Sequence, residues 1–182
     1  MDGLPVKRIN DEVYVAEEGI VRLDRRAIAF VRDQALRNRR GRARICAHRD
    51  ATNTLHEMLI GIAATSYVRP HRHEAKSESF HLVEGSADVV ILSDDGAVED
   101  VVELGENANF YYRLEAPRYH TLLIGSPALV IHETTNGPFV PDGTDWAPFA
   151  PAEGTPEAHT YTEQLRSSVA AWKESRGRSG KP

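Results

Sequence analysis

The hydrophobic pattern changes character along the chain. Between residues 42 and 135, short runs rich in β-branched residues alternate with turns, and no helical period separates them. Many short strands at regular spacing are typical of an antiparallel sandwich or barrel. The Ser-Asp-Asp-Gly stretch at 93–96 predicts a hairpin turn, with Gly96 in a left-handed position. The pattern therefore predicts a mainly β domain over 42–140.

A helix is predicted before this domain. Asp24 is a suitable N-cap, because its carboxylate can accept from the free amides of a first helical turn. Apolar residues then recur on one helical face, and Gly41 can end the helix. The apolar residues are Ala27, Ile28, Val31, Ala35 and Leu36. We expect residues 1–41 to form an N-terminal extension with one helix, preceded by a short strand at 13–16.

The last segment, 141–182, has a third pattern. Five of the ten prolines lie between 137 and 156, which excludes a regular helix or central strand there. A stripe of Tyr161, Leu165, Val169 and Trp172 then predicts an amphipathic helix over about 157–174. This segment is expected to be a proline-rich arm, a C-terminal helix and a disordered tail.

Length and charge limit the classes of function. A chain of 182 residues can bury the core of one domain. A net charge of −5 argues against nucleic acid as a partner, since phosphate backbones are bound by basic surfaces. The single cysteine, Cys46, excludes a disulfide within one chain, and no apolar run is long enough for a signal peptide or a membrane span. We expect a cytoplasmic protein without a membrane partner.

The chemistry concentrates around His71, His73 and Glu78. The two histidines are two residues apart, so in an extended strand both imidazoles lie on one face. Glu78 follows after a polar bend, and His120, just after Pro117, offers a fourth donor. Two imidazoles and a carboxylate from adjacent strands are suitable donors for a divalent transition metal. Fe, Mn, Zn and Ni are all compatible with these donors.

These residues carry a resemblance to a known family. The spacing from His71 and His73 through Glu78 to Gly85 resembles the first metal motif of the cupin superfamily, and residues 117–120 resemble the second. The wider text is similar to the WbuC-type cupin fold metalloproteins. The segments that carry this likeness are 55–60, 66–73, 76–81, 110–114, 119–122 and 132–139. The resemblance implies a cupin-type antiparallel β-barrel (jelly roll), one metal ion per chain held by His71, His73, Glu78 and His120, and a link with polysaccharide biosynthesis.

Strand alternation suggests which other side chains line the cavity. Tyr67 and Arg69 share the parity of His71, and we regard both as candidate substrate-binding residues. Arg69 could hold a carboxylate or a phosphate. Lys76 lies in the bend between the ligands and is a candidate catalytic residue.

Two adjacent pairs cannot be decided by parity. One of Tyr111 and Tyr112 faces inward and could serve as a general acid, with Tyr112 our candidate. Likewise only one of His132 and Glu133 can face the cavity.

The leading functional hypothesis is a metal-dependent isomerase or epimerase that acts on a sugar or a sugar-derived small molecule. An Fe(II)-dependent dioxygenase needs the same open metal positions and is the alternative enzyme. A non-catalytic metabolite-binding or structural module is the alternative outside enzymes. A homodimer is expected, because exposed sheet edges of such barrels often pair.

Overall fold

The computed structural model describes residues 4–115 and 117–179, and these residues form twelve strands and two helices. The elements, in chain order, are β1 (Val6–Arg8), β2 (Val13–Ala16), α1 (Arg25–Arg37), β3 (Arg42–Cys46), β4 (Leu55–Ala63), β5 (His71–Arg72), β6 (Ser77–Glu84), β7 (Ala87–Leu92), β8 (Val98–Leu104), β9 (Tyr111–Glu115), β10 (Tyr119–Ile124), β11 (Ala128–Asn136), β12 (Asp145–Trp146) and α2 (Glu157–Ser179).

The strands form two sheets. The large sheet has the order β1-β2-β3-β4-β11-β6-β9, and the small sheet has the order β12-β5-β10-β7-β8. The pairings are antiparallel except that of β2 with β3, which α1 joins as a crossover. Strands far apart in sequence are neighbours, as in β4-β11-β6, so the sheets pack as a jelly roll. The mainly β, jelly-roll fold with a helix near each end is confirmed.

The main core lies between the two sheets. Inward-facing residues alternate with outward ones along each strand, so both sheets contribute to a single apolar cluster. The cluster comprises Cys46, Met58, Ile60, Ile62, Phe80, Ala87, Val89, Ile91, Leu104, Tyr112, Leu122, Ile124, Leu129 and Ile131. Cys46 is therefore a buried core residue. This interior is the frame on which the polar residues described below are held.

Helix α1 covers the outer face of the large sheet. Asp24 caps it as predicted, with its carboxylate accepting from the Arg26 amide at 2.9 Å. Ala27 and Val31 are buried against the sheet. Gly61 allows this close approach, because a Cβ there would lie 2.4 Å from the carbonyl oxygen of Val31. The helix ends at Arg37, four residues before Gly41, whose φ of 69° turns the chain into β3.

Helix α2 covers the outer face of the small sheet, where Leu165 and Val169 pack with Val90 and Leu123. It continues through Gly177 to Ser179, five residues beyond the predicted end. Residues 180–182 of the predicted tail lie outside the described residues. No described helix has the length and apolar character needed to cross a membrane.

The N-terminal segment is more closely joined to the barrel than the sequence indicated. Besides the helix it supplies β1 and β2, which extend the large sheet. The predicted strand at 13–16 is observed with the same limits. In the C-terminal arm, β12 pairs with β5 and closes the edge of the small sheet beside His71.

Candidate metal centre

Three histidines come together at one end of the small sheet. His71 on β5 and His120 on β10 are paired residues of adjacent strands, and His73 follows β5 directly. One ring nitrogen of each can be chosen so that the three nitrogens lie within 4.8 Å of one another. His71 and His120, 49 positions apart in sequence, thus lie in one cluster because β5 and β10 pair.

Each of these imidazoles is oriented by a backbone carbonyl. Nδ1 lies 2.8 Å from the Arg69 oxygen in His71, 3.0 Å from the Arg118 oxygen in His120, and 3.2 Å from the Gly143 oxygen in His73. A carbonyl oxygen only accepts, so Nδ1 carries a proton in all three rings and Nε2 is the atom of each ring available to a metal. Such support at the second nitrogen is typical of metal-binding histidines.

Glu78 approaches the cluster from the large sheet. Its Oε1 lies 2.8 Å from Nε2 of His120, but the angles do not fit a hydrogen bond. Both atoms are buried and have no hydrogen-bond partner in the described part of the chain. Buried polar atoms normally have a hydrogen-bond partner, and the described part of the protein supplies none to these two atoms.

Burial and charge shape the protonation of the cluster. Burial, helped by the nearby His120, lowers the pKa of His71 to about 4, so this ring is neutral at pH 7. Burial alone would lower the pKa of His120 and raise that of Glu78. Their mutual attraction outweighs burial, raising the pKa of His120 and lowering that of Glu78. In the metal-free protein the carboxylate therefore favours a proton on the facing imidazole.

The strand register decides the two pairs that parity left open. Tyr112 is buried in the core, whereas Tyr111 is 41% exposed on the outer face. Glu133 pairs with the inward-facing Phe80, so Glu133 faces inward and His132 faces outward.

The inward members of these pairs have unusual surroundings. The Tyr112 hydroxyl is buried without a hydrogen-bond partner among described residues, and burial raises its pKa. Burial and the nearby Glu78 raise the pKa of Glu133 to about 7. Both side chains are thus polar groups in a mostly apolar wall, close enough to Glu78 to feel its charge.

Tyr67 does not face the histidines, contrary to expectation. Its hydroxyl donates to the Pro151 carbonyl at 3.1 Å, and its ring contacts Tyr161 of α2 on the outer face of the small sheet. Residues 66–70 are not part of a strand, so the alternation that holds at His71 does not extend back to Tyr67.

Arg69 and Lys76 lie at the rim of the site. Arg69 donates to the Ala147 carbonyl at 3.2 Å and lies over the Trp146 ring, while its Nε is buried without a partner in the described chain. The Lys76 ammonium lies 5.5 Å from the centre of the Phe139 ring. Arg69 thus contacts the C-terminal arm, whereas Lys76 lies near Phe139, just before the arm begins.

The arm itself was not predicted to take part in the site. Gly143 supports His73, and Trp146 lies beside His71 with ring centres 5.5 Å apart. Trp146 is 48% exposed, so its ring lies partly in solvent beside His71. No local signal could have placed these residues, because their position depends on the pairing of β12 with β5.

The donor set fits a divalent transition metal. Three imidazoles converge, each held at Nδ1 by a carbonyl, and the partnerless Glu78 oxygen adjoins one of them. Imidazole and carboxylate donors suit iron, manganese, zinc or nickel. A cavity of about 900 Å³ between the α1 end and α2 lies away from these three histidines and is lined by none of the four donors.

Comparison with known sequences gives one match. A family described as "Domain of unknown function (DUF6016)" matches residues 23–104, less than half of the 182-residue chain. No curated protein matches.

Among solved structures, a Shewanella oneidensis protein is 11% identical with a TM-score of 0.45, and the match covers 55% of this chain and 66% of that one. Oxalate decarboxylase from Bacillus subtilis is 17% identical with a TM-score of 0.43, covering 52% and 24% of the two chains. The Cnp3 cupin domain of Schizosaccharomyces pombe is 9% identical with a TM-score of 0.42, covering 52% and 64%. This chain thus spans less than two thirds of each. Because the scores lie below 0.5, the description of the fold rests on the strand order of this chain.

Proposed function

We propose that His71, His73, His120 and Glu78 hold one divalent transition metal ion, and that the protein is a metal-dependent cupin enzyme acting on a small sugar-derived molecule. The observation that carries the proposal is the convergence of three imidazole nitrogens within 4.8 Å, each ring held by a carbonyl at its other nitrogen. The WbuC-type assignment and the link with polysaccharide biosynthesis rest on the sequence motifs.

Isomerisation or epimerisation is the reaction that we favour. A divalent ion, when bound, supplies Lewis acidity that makes a C–H or O–H proton of the substrate easier to remove. Glu133 faces the same interior as Glu78, and its carboxylate can accept a proton and return it. The Tyr112 hydroxyl, kept protonated by burial, can donate a hydrogen bond. Phe80 and Leu82 exclude water from this wall.

The metal proposal is tested by elemental analysis of protein purified without a chelator or a histidine tag. We expect about one ion per chain in the wild type, since four donors form one site. The His73→Ala variant should stay folded and carry almost none. His81→Ala is the matched control, because His81 is exposed on the outer face of the large sheet.

Three outcomes separate the hypotheses. If the wild type takes up no ion when Fe(II), Mn(II), Zn(II) or Ni(II) is added, the metal proposal is wrong. If His73→Ala loses the ion together with its melting transition, the ion is structural and the enzyme proposal fails. A folded, metal-free variant supports an open site, and isomerase and oxygen-consumption assays on the wild type then distinguish an isomerase from a dioxygenase.

A further inference from the structure

Arg44 is a charged residue on the interior side of the large sheet. Its neighbours in β3, Ala43 and Ile45, are buried on the outer side, where Ile45 packs with α1. Arg44 therefore faces inward, and its cross-strand partners Val13 and Ile60 both pack in the core between the sheets. Arg44 thus lies between two aliphatic side chains on the inward face of the sheet.

The side chain of Arg44 has no hydrogen bond or ion pair with any residue that the structure describes. Arg42, which faces the same way, differs in this respect. It donates to Ser66 Oγ at 2.8 Å and pairs with Glu153 at 3.4 Å. Arg44 is half-buried, and an arginine that lies against a core is usually paired with an acid or an acceptor. Packing alone therefore does not explain Arg44.

A second unpaired charge shares this interior. Glu133 faces inward on β11, in register with Met58, which is itself in register with Cys46 on β3. Cys46, Met58 and Glu133 thus lie opposite one another across three strands. Arg44 is the next inward-facing residue of β3 before Cys46. Neither side chain has an ion pair or a hydrogen bond within the described ranges. Arg44 and Glu133, of opposite charge, thus face the same interior without forming an ion pair.

The same register relates this pair to the candidate metal centre. Glu78 pairs with Thr135, which is one inward position beyond Glu133 on β11. On the inward face of the large sheet, Glu133 thus lies between Arg44 and Glu78. A molecule that reaches from the histidines past Glu133 would meet the guanidinium of Arg44.

We propose that Arg44 binds a carboxylate of the substrate, at the end remote from the histidines. The substrate class is then an acidic sugar derivative or another hydroxy acid with a second carboxylate, and this inference rests on the proposed function. A guanidinium binds a carboxylate with two parallel hydrogen bonds. Glu78 and Glu133 already place two acidic side chains near this one guanidinium. We therefore expect it to bind a carboxylate, with one negative charge, rather than a phosphate with two.

The test uses two probes with the same chelating head. Malate and 2-hydroxybutyrate are both 2-hydroxy acids, but malate carries a distal carboxylate where 2-hydroxybutyrate has a methyl group. Each is titrated into full-length protein loaded with Co(II), and the change in visible absorption gives Kd. We expect the wild type to bind malate at least about tenfold more tightly, as befits a charge-assisted contact.

Variants show whether Arg44 causes the preference. Arg44→Met should lose it while binding 2-hydroxybutyrate as the wild type does. Arg113→Met is the matched control, because Arg113 lies exposed on the outer face and pairs with Glu115. It should keep the preference. If Arg44→Met does not fold, by circular dichroism, Arg44→Gln replaces it in the same comparison.

Three results would overturn the proposal for Arg44 while Co(II) still binds. They are a wild type without preference for malate, an Arg44 variant that keeps the preference, and an Arg69→Met variant that loses it while the Arg44 variant keeps it. A wild type that takes up no Co(II) overturns the proposed function as well, so the two failures are distinguishable.

Discussion

The two ends of the barrel interior are equally buried but differ in chemistry. At one end Leu129 and Ile124 are 0% and 3% exposed, and at the other Glu78 and His120 are 7% and 4% exposed. Burial of the aliphatic side chains stabilises the fold. Burial of Glu78 and His120 leaves atoms without hydrogen-bond partners among described residues, and the attraction between the two groups offsets their desolvation. The polar end thus contributes less to stability than the apolar end, as expected of a functional site.

Truncation at the apolar end should give the largest effect on stability. Leu129→Ala leaves a cavity between the sheets, and we expect a loss of about 3 kcal/mol in the free energy of unfolding. Metal content should stay as in the wild type. Leu55→Ala, at a leucine that is 52% exposed, should change stability by less than about 0.5 kcal/mol. Urea denaturation measures both, and equal losses would show that the apolar end is not the main source of stability.

The polar end should make the stability of the protein depend on pH. The folded-state pKa of Glu133, about 7, lies above the ordinary 4.5, so the folded protein binds this proton more tightly than the unfolded chain. Stability of the metal-free protein should therefore decrease as pH rises between these values, by about 2 kcal/mol from this group. Glu133→Gln should remove that decrease. Denaturation of both proteins between pH 5 and about 7.5 tests this, and an identical pH dependence would contradict the placement of Glu133.

The smallest effect is expected for the unpartnered hydroxyl. Tyr112→Phe removes a buried group without a hydrogen bond in the described structure, so stability should stay equal or rise by up to about 1 kcal/mol. Tyr119→Phe is the matched control, since its hydroxyl donates to Asp145 at 3.1 Å. That variant should lose about 1 kcal/mol. If Tyr112→Phe is the less stable variant in thermal melts, the Tyr112 hydroxyl has a partner in the protein.

Local sequence accounts for much of the fold. The cap at Asp24, the strand at 13–16 and the turn at Gly96 depend on neighbouring residues, and the structure confirms each of them. Glu78 and Phe80 alternate with exposed or half-buried residues along β6, and both are buried on one face. Alternation was misleading at Tyr67, because it holds only while the chain remains a strand.

The site was predictable in its residue types and only partly in its members. The spacing around His71, together with His120 far along the chain, was sufficient to expect three imidazoles in one place, and the structure brings them within 4.8 Å. Arg44, Gly143 and Trp146 were missed. Their positions follow from pairings between distant strands, which no local pattern encodes.

Local periodicity and residue chemistry were sufficient to predict both helices, most of the strands of the barrel and the side chains that could bind a metal. Contacts between distant segments, by contrast, place Tyr112 and Glu133 inward, Tyr67 against α2, and the C-terminal arm beside the site. These placements depend on the register between paired strands. Side chains of a strand alternate between two faces, and only pairing with distant strands decides which face becomes the interior.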